Sequence, residues 1–315
     1  MQPQTSSGHG DASQMMKGNA LIFISTVFFG LNIPALKILI PDWLSAVDVT
    51  VARFMGAALL MWITSIFTKN EPIAKNDRLR IFLCGGVALF AFIYLFSLSL
   101  KFAAPIDVSI ILTTPPIIVT ALSAIIYKER VSKLEILGIA ISFVGALAVI
   151  LSQGASAKGS DNLLGDLIAF ASCLCYAVYL LGITGPTKRY SPVNLTRWVL
   201  LSASIVAIPF AFSFPESKLV TDPQLEPIAL IAFVVIFPTY VAYLTVAPAI
   251  KLIGSELVSM YQYLVPVIAT IACVIMKLDT LRWMQPIAIV IILAGVWITN
   301  VGKRSRSTNT PAGNS

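Results

Sequence analysis

Residues 101–145, KFAAPIDVSIILTTPPIIVTALSAIIYKERVSKLEILGIAISFVG, align without a gap on residues 251–295, KLIGSELVSMYQYLVPVIATIACVIMKLDTLRWMQPIAIVIILAG. The offset of 150 pairs Lys101 with Lys251, Val108 with Val258, Ser109 with Ser259, Pro116 with Pro266, Thr120 with Thr270 and Gly145 with Gly295, and sets Glu129 opposite Asp279. The chain is duplicated. Both copies are long apolar runs, and internal repeats in an apolar chain are the usual construction of proteins that pass solutes through a membrane.

Working outward, 57% of the 315 residues are hydrophobic and 12% charged, more apolar than a soluble core of this size requires. Runs of about 20 apolar residues, the length of a helix crossing the hydrocarbon layer, fall at 18–40, 46–67, 80–100, 104–127, 134–152, 164–184, 195–214, 228–249, 254–276 and 283–301. The fold expected is an all-α membrane protein of ten transmembrane helices, five per half. Pro105 and Gly254 mark breaks in the shortest hairpins. The implied division is a disordered tail 1–16, a first repeat 17–152, a linker 153–163, a second repeat 164–302 and a polar tail 303–315.

With a cytoplasmic N-terminus, fourteen Lys and Arg residues fall in inside segments and six outside, with Arg53 and Arg197 inside spans. The positive-inside rule therefore places both termini in the cytoplasm. The net charge of +7 is mostly topology and does not read as a nucleic-acid footprint. Five helices is an odd number, so the second half enters the membrane in the opposite sense, as two inverted five-helix repeats around a central cavity. No secretory signal pattern opens the chain. Cys84, Cys173, Cys175 and Cys273 all lie within spans and read as small apolar residues, so neither disulfide nor metal is expected.

In lipid, polar side chains on one helical face mark a wet cavity or a helix seam. Ser109, Thr113, Pro116, Thr120 and Ser123 form such a stripe, matched in the second copy by Glu256, Ser259, Tyr263, Pro266 and Thr270. Shorter stripes carry Ser25, Phe29 and Asn32; Phe90, Tyr94 and Ser97; and Ser172, Tyr176 and Tyr179, with Tyr243 following Pro238. From these, Asn32, Tyr94, Ser109, Thr113, Tyr176, Tyr179, Tyr243, Ser259 and Tyr263 are the candidate substrate-binding residues. Hydroxyls, one amide and aromatic rings suit a small organic solute, although tyrosines also populate interfacial belts. Pro116 and Pro266 are the matched candidate helix breaks; proline is also common in membrane helices whose neighbours re-satisfy the backbone.

Among the acids, Glu256 is the candidate for proton coupling, with helix capping the competing reading. Asp48, Asp107 and Asp166 read as caps. Arg53 and Arg197 occupy corresponding places in the two halves. A guanidinium there could meet an anion, but the reading preferred is that both snorkel or tie down loops. Gly138 and Gly145 share a face, with Gly145 mirrored by Gly295, and point to close packing within the chain.

These residues resemble the drug/metabolite transporter superfamily, in its ten-helix group with two EamA-type repeats. The likeness rests on Phe29-Gly30-Leu31-Asn32 followed by Lys37, on Arg53, on Pro116 with Lys128-Glu129-Arg130 after it, and on Gly138 and Gly145. The second copy repeats the plan with Tyr176-Ala177-Val178-Tyr179, Arg197, Pro266 and Gly295, so the likeness runs from about Lys17 to Gly302. It implies a basket of helices with a cavity lined by the first, third, fourth, sixth, eighth and ninth. It implies outward transport of small metabolites such as amino acids, or, as in some relatives, exchange of nucleotide sugars or sugar phosphates. Phe29 stands where many relatives have tryptophan, and Asp279 where glutamate is usual, which leaves the substrate class open.

The expectation is thus a secondary permease without cofactor, in a bacterial cytoplasmic (inner) membrane, with a small-molecule substrate and the lipid bilayer as partners; monomer and homodimer both stay open. The alternative is a structural or receptor-like membrane protein. An enzyme is disfavoured: Gly-x-Ser-x-Gly and His-Glu-x-x-His are missing, and His9 is the sole histidine. A Gly-rich phosphate loop is missing too, which disfavours ATP drive.

Overall fold

The computed structural model describes residues 7–68, 71–126, 132–151 and 157–309; for some of these, 7–13, 157–161, 254–260 and 303–309 among them, it describes the helix but not the side chains. Among these the chain is helical, with no strand. This is what a bilayer demands, since only a helix satisfies its backbone groups within one segment. The first half comprises α1 (Ser7–Leu39), α2 (Ala46–Ser65), α3 (Lys75–Arg80), a π-helical stretch Ile81–Ala88, α4 (Leu89–Phe102), α5 (Pro105–Ile111), α6 (Pro115–Ile126) and α7 (Lys133–Leu151). The second comprises α8 (Ala157–Thr187), α9 (Pro192–Ala207), α10 (Lys218–Thr221), α11 (Leu225–Val234), a π-helical stretch Val235–Val241, α12 (Ala242–Tyr261), α13 (Val265–Ile275) and α14 (Met284–Asn309). Seven segments among the described residues are long and apolar enough to cross a membrane, from Gln14–Leu39 to Leu225–Val246. The apolar parts of α13 and α14, Val265–Ile275 and Met284–Thr299, are shorter. Leu59, Val144, Val290 and Trp297 are exposed on the outside of the bundle, a belt that belongs against lipid.

Several local expectations change. Residues 7–16, read as tail, continue α1, and 303–309 continue α14. A helix already nucleated extends through polar residues at little further cost. Likewise α8 begins at Ala157, inside the expected linker. Asp48 does cap α2, in a reciprocal box with Ser45. Asp166 does not cap: it lies ten residues into α8, fully buried, with neither carboxylate oxygen hydrogen-bonded. Asp107 lies in the first turn of α5, and its carboxylate accepts from Gln285 Nε2 at 2.7 Å and Arg282 Nη2 at 3.3 Å, across the two halves.

The expected break at Gly254 is absent from the helix itself, because α12 runs through it. The sense of its pairing with α1 changes between Ile253 and Tyr261. Thr245 meets Ser25 and Ile253 meets Gly18, antiparallel to α1, whereas Tyr261 meets Asn19 and Ile268 meets Gly30, parallel to it. Similar pairings order the rest of the bundle. Arg80, Phe92 and Ala103 meet Gly182, Tyr176 and Gly165 along α8. Phe54 and Trp62 meet Ser204 and Trp198 along α9, and Asp48 meets Ser213 in the 3₁₀ stretch Ile208–Glu216 that follows it. On α7 and α14, Gly138 faces Gly295 and Thr299 so closely that a Cβ on Gly138 would lie 2.5 Å from the Gly295 carbonyl oxygen. Small residues are what allow that approach.

Candidate functional site

The fourth apolar run does not form one helix. At Leu112–Thr114 the backbone leaves α5 and restarts at Pro115, whose missing N–H costs nothing in a first turn. The chain has a second such restart where a short 3₁₀ turn, Gln262–Leu264, precedes Val265 and Pro266. Both restarts face one cavity of about 170 Å³, space on the order of ten waters or one small solute. Phe29, Asn32 and Ile33 of α1, Arg53 of α2, Phe92, Ile93 and Phe96 of α4, and Ser109, Leu112, Thr113 and Pro115 form its wall from the first half. Tyr176 of α8, Tyr243 and Val246 of α12, and Val265 and Pro266 of α13 close it from the second.

Of the residues expected to bind substrate, Asn32, Ser109, Thr113, Tyr176 and Tyr243 therefore stand on this wall. The Ser109 and Thr113 hydroxyls donate to the Ile106 and Ile110 carbonyls, at 2.6 and 2.7 Å, which leaves their oxygens as acceptors. Tyr176 packs against Phe92 with ring centroids 4.5 Å apart, and Tyr243 meets Phe29 edge-on at 6.4 Å. Tyr179 sits behind Tyr176, Tyr94 stacks on Phe90, and Tyr263 packs against the main core; none of the three lines the cavity. The side chains of Ser259 and Glu256 lie outside the described residues. Pro266 is buried on the wall, while Pro116 is exposed on the outer face and its neighbour Pro115 takes the inner place.

The two arginines part company. Arg197 is buried against the faces of Trp62 and Trp198, with its guanidinium carbon 4.9 and 5.7 Å from the ring centroids, and bonds Asn194. Arg53 reaches the cavity wall instead. Its Nε donates to Thr239 Oγ1 at 3.0 Å, and its Nη1 is buried with no acceptor. Thr239 belongs to the π-helical stretch and donates to the Val234 carbonyl five residues back, at 2.8 Å. Such bulges recur at functional sites. The sequence signals here are the arginine inside an apolar run and, on the opposing element, Pro238 directly before Thr239.

A helical multi-pass bundle whose two related halves close around one small, mostly apolar cavity with a few polar groups is built as a membrane transporter. The sequence comparisons agree: the EamA-like transporter family matches residues 16–151 and again residues 163–301, and the chain belongs to that family. It is similar to the uncharacterized transporter YyaM of Bacillus subtilis, 31% identical over 78% of this chain and 81% of that protein. It is also similar to a protein of Salmonella typhimurium named "Probable amino-acid metabolite efflux pump", 24% identical over 94% of this chain and 99% of that one. A crystal structure of 16% sequence identity superposes with a TM-score of 0.61, covering 90% of this chain and 97% of its own, and shares the fold.

Proposed function

We propose that this protein is a secondary active exporter of small organic metabolites, amino acids or related compounds, working by alternating access. Ten membrane-spanning helices in two inverted halves, 17–152 and 164–302, would carry it in a bacterial inner membrane with both termini cytoplasmic. The observation that carries the reading is the cavity wall, to which both matched regions contribute and at which both break their helices, after Leu112 and before Val265. Rocking one half against the other opens such a site to each side in turn. The name of the Salmonella relative supports the amino-acid class and the outward direction. The Asp107 contacts to Arg282 and Gln285 tie the halves together at one end, where a closed gate belongs.

The test is reconstitution of the full chain into liposomes with counterflow of radiolabelled amino acids and related metabolites. Saturable flux that is lost in the Tyr176→Ala variant is expected. Absence of flux for every solute, with the protein folded and inserted, would favour the structural or receptor-like reading.

A further inference from the structure

Arg53 is 3% exposed, and a guanidinium keeps its charge wherever a protein puts it. Burying one is tolerable when its N–H groups and its charge are met by partners. Arg197 shows how this chain does that, with two indole faces and Asn194. Among the described residues, Arg53 bonds only the neutral hydroxyl of Thr239, and Nη1 is left without an acceptor. No carboxylate stands on the cavity wall among the described residues. Asn32, on the same wall and 4% exposed, has a buried Oδ1 that also lacks a partner. Two unsatisfied polar groups therefore border one small space whose remaining surface is largely apolar and includes the rings of Phe29, Phe92, Phe96, Tyr176 and Tyr243.

We propose that the cavity binds a small organic carboxylate with an apolar or aromatic body, its anion held by Arg53 and a neutral hydroxyl or N–H donor held by Asn32. The class is that of hydroxy acids and N-acylated amino acids. This rests on the transport reading of the cavity and narrows it. A carboxylate matches the guanidinium fork in geometry as well as charge. Arg53 is the cation of the described wall, and the single negative charge of a carboxylate balances it. The aromatic rings take the apolar body.

The experiment measures binding to the full chain in detergent, by thermal shift and calorimetry, with two acid and amide pairs: 3-phenyllactate with 3-phenyllactamide, and 2-hydroxyisocaproate with its amide. At least one acid is expected to bind tenfold or more tightly than its amide, and Arg53→Met to abolish that preference. Asn32→Ala is expected to weaken 3-phenyllactate severalfold while leaving 3-phenylpropanoate, which lacks the hydroxyl, unchanged. Ligand-free Arg53→Met protein is expected to melt at or above wild type, since it loses an uncompensated buried charge. Equal binding of acids and amides, no stabilisation by either acid, or a lower melting temperature for ligand-free Arg53→Met overturns the proposal; the last outcome makes Arg53 a structural tie to Thr239. Where the methionine variant does not fold, Arg53→Lys serves: a smaller acid preference supports the assignment, and an undiminished one overturns it. Liposome flux separates the two readings, because carriage of the amides without acid preference leaves the transporter standing and ends this proposal, whereas Arg53-dependent acid binding without flux does the reverse.

Discussion

Ser142 of α7 donates through Oγ to the carbonyl oxygen of Ile292 on α14 at 3.1 Å, and the two residues are separated by the repeat offset of 150 positions. Ser204 of α9 donates likewise to the Phe54 carbonyl of α2 at 2.9 Å, joining a second matched pair of helices. A residue can touch its own counterpart only where a two-fold relation passes between the elements that carry them. Both contacts join helices that run antiparallel, as equivalent helices must when one half is inverted, which supports the topology proposed above.

The α7–α14 seam makes that relation vulnerable. A Cβ on Gly138 would meet the Gly295 backbone oxygen at 2.5 Å, and one on Gly295 would meet the Gly138 oxygen at 2.6 Å. Backbone cannot yield as a side chain would, so the helices must separate. Gly138→Leu and Gly295→Leu are each expected to cost about 1–3 kcal/mol of stability or more, read as a lower melting temperature in detergent. Val290→Leu, on the exposed face of the same helix, should leave it unchanged.

Arg197 gives the contrasting result to a binding residue. Its indole contacts are desolvated, where a cation over a ring contributes about 2 kcal/mol. Arg197→Gln is therefore expected to lower the melting temperature while the KM for flux stays at the wild-type value. A raised KM without loss of stability would place this guanidinium in the transport path after all.

How far this could be read without coordinates depends on the residue. The membrane class, the duplication and the polar face of Ser109 and Thr113 follow from composition and a 3.6-residue period, which local sequence carries. The same period cannot rank Tyr176 over Tyr179, because three residues apart on a helix both point to one side, and only the packing of α4 against α8 puts Phe92 on one ring and leaves the other behind it. Pro116 was singled out by its match to Pro266, but in the double proline it is Pro115 that starts the new helix and faces inward. Asp166 differs from a cap because capping describes a helix alone, whereas its burial is set by elements more than fifty residues away.

That distinction between wall and second layer can be measured. Tyr243→Phe and Asn32→Ala remove polar groups from the cavity surface, and each is expected to raise the KM for flux up to about tenfold, the loss of a hydrogen bond of about 0.5–1.5 kcal/mol. Tyr94→Phe and Tyr179→Phe keep the ring packing behind the wall and should leave KM unchanged. Equal effects from the two sets would mean that the transported solute occupies more than this cavity.

Asp107 and Arg282 provide the last test, because they join the halves across the end of the bundle. Asp107 is fully buried, and its carboxylate receives Arg282 at 3.3 Å and Gln285 at 2.7 Å. Arg282→Ala leaves a buried carboxylate with less compensation, and removing one partner of such a pair costs more than removing both. The double variant Asp107→Asn/Arg282→Ala, which keeps an oxygen for Gln285, is thus expected to be more stable than Arg282→Ala alone. If the contact also closes a gate, both variants should shift exchange towards the state open at that end, read as faster modification of a cysteine placed at Thr113 in a chain lacking its four native cysteines. Additive losses of stability, with no change in modification rate, would show that the two residues neither compensate one another nor hold the halves closed.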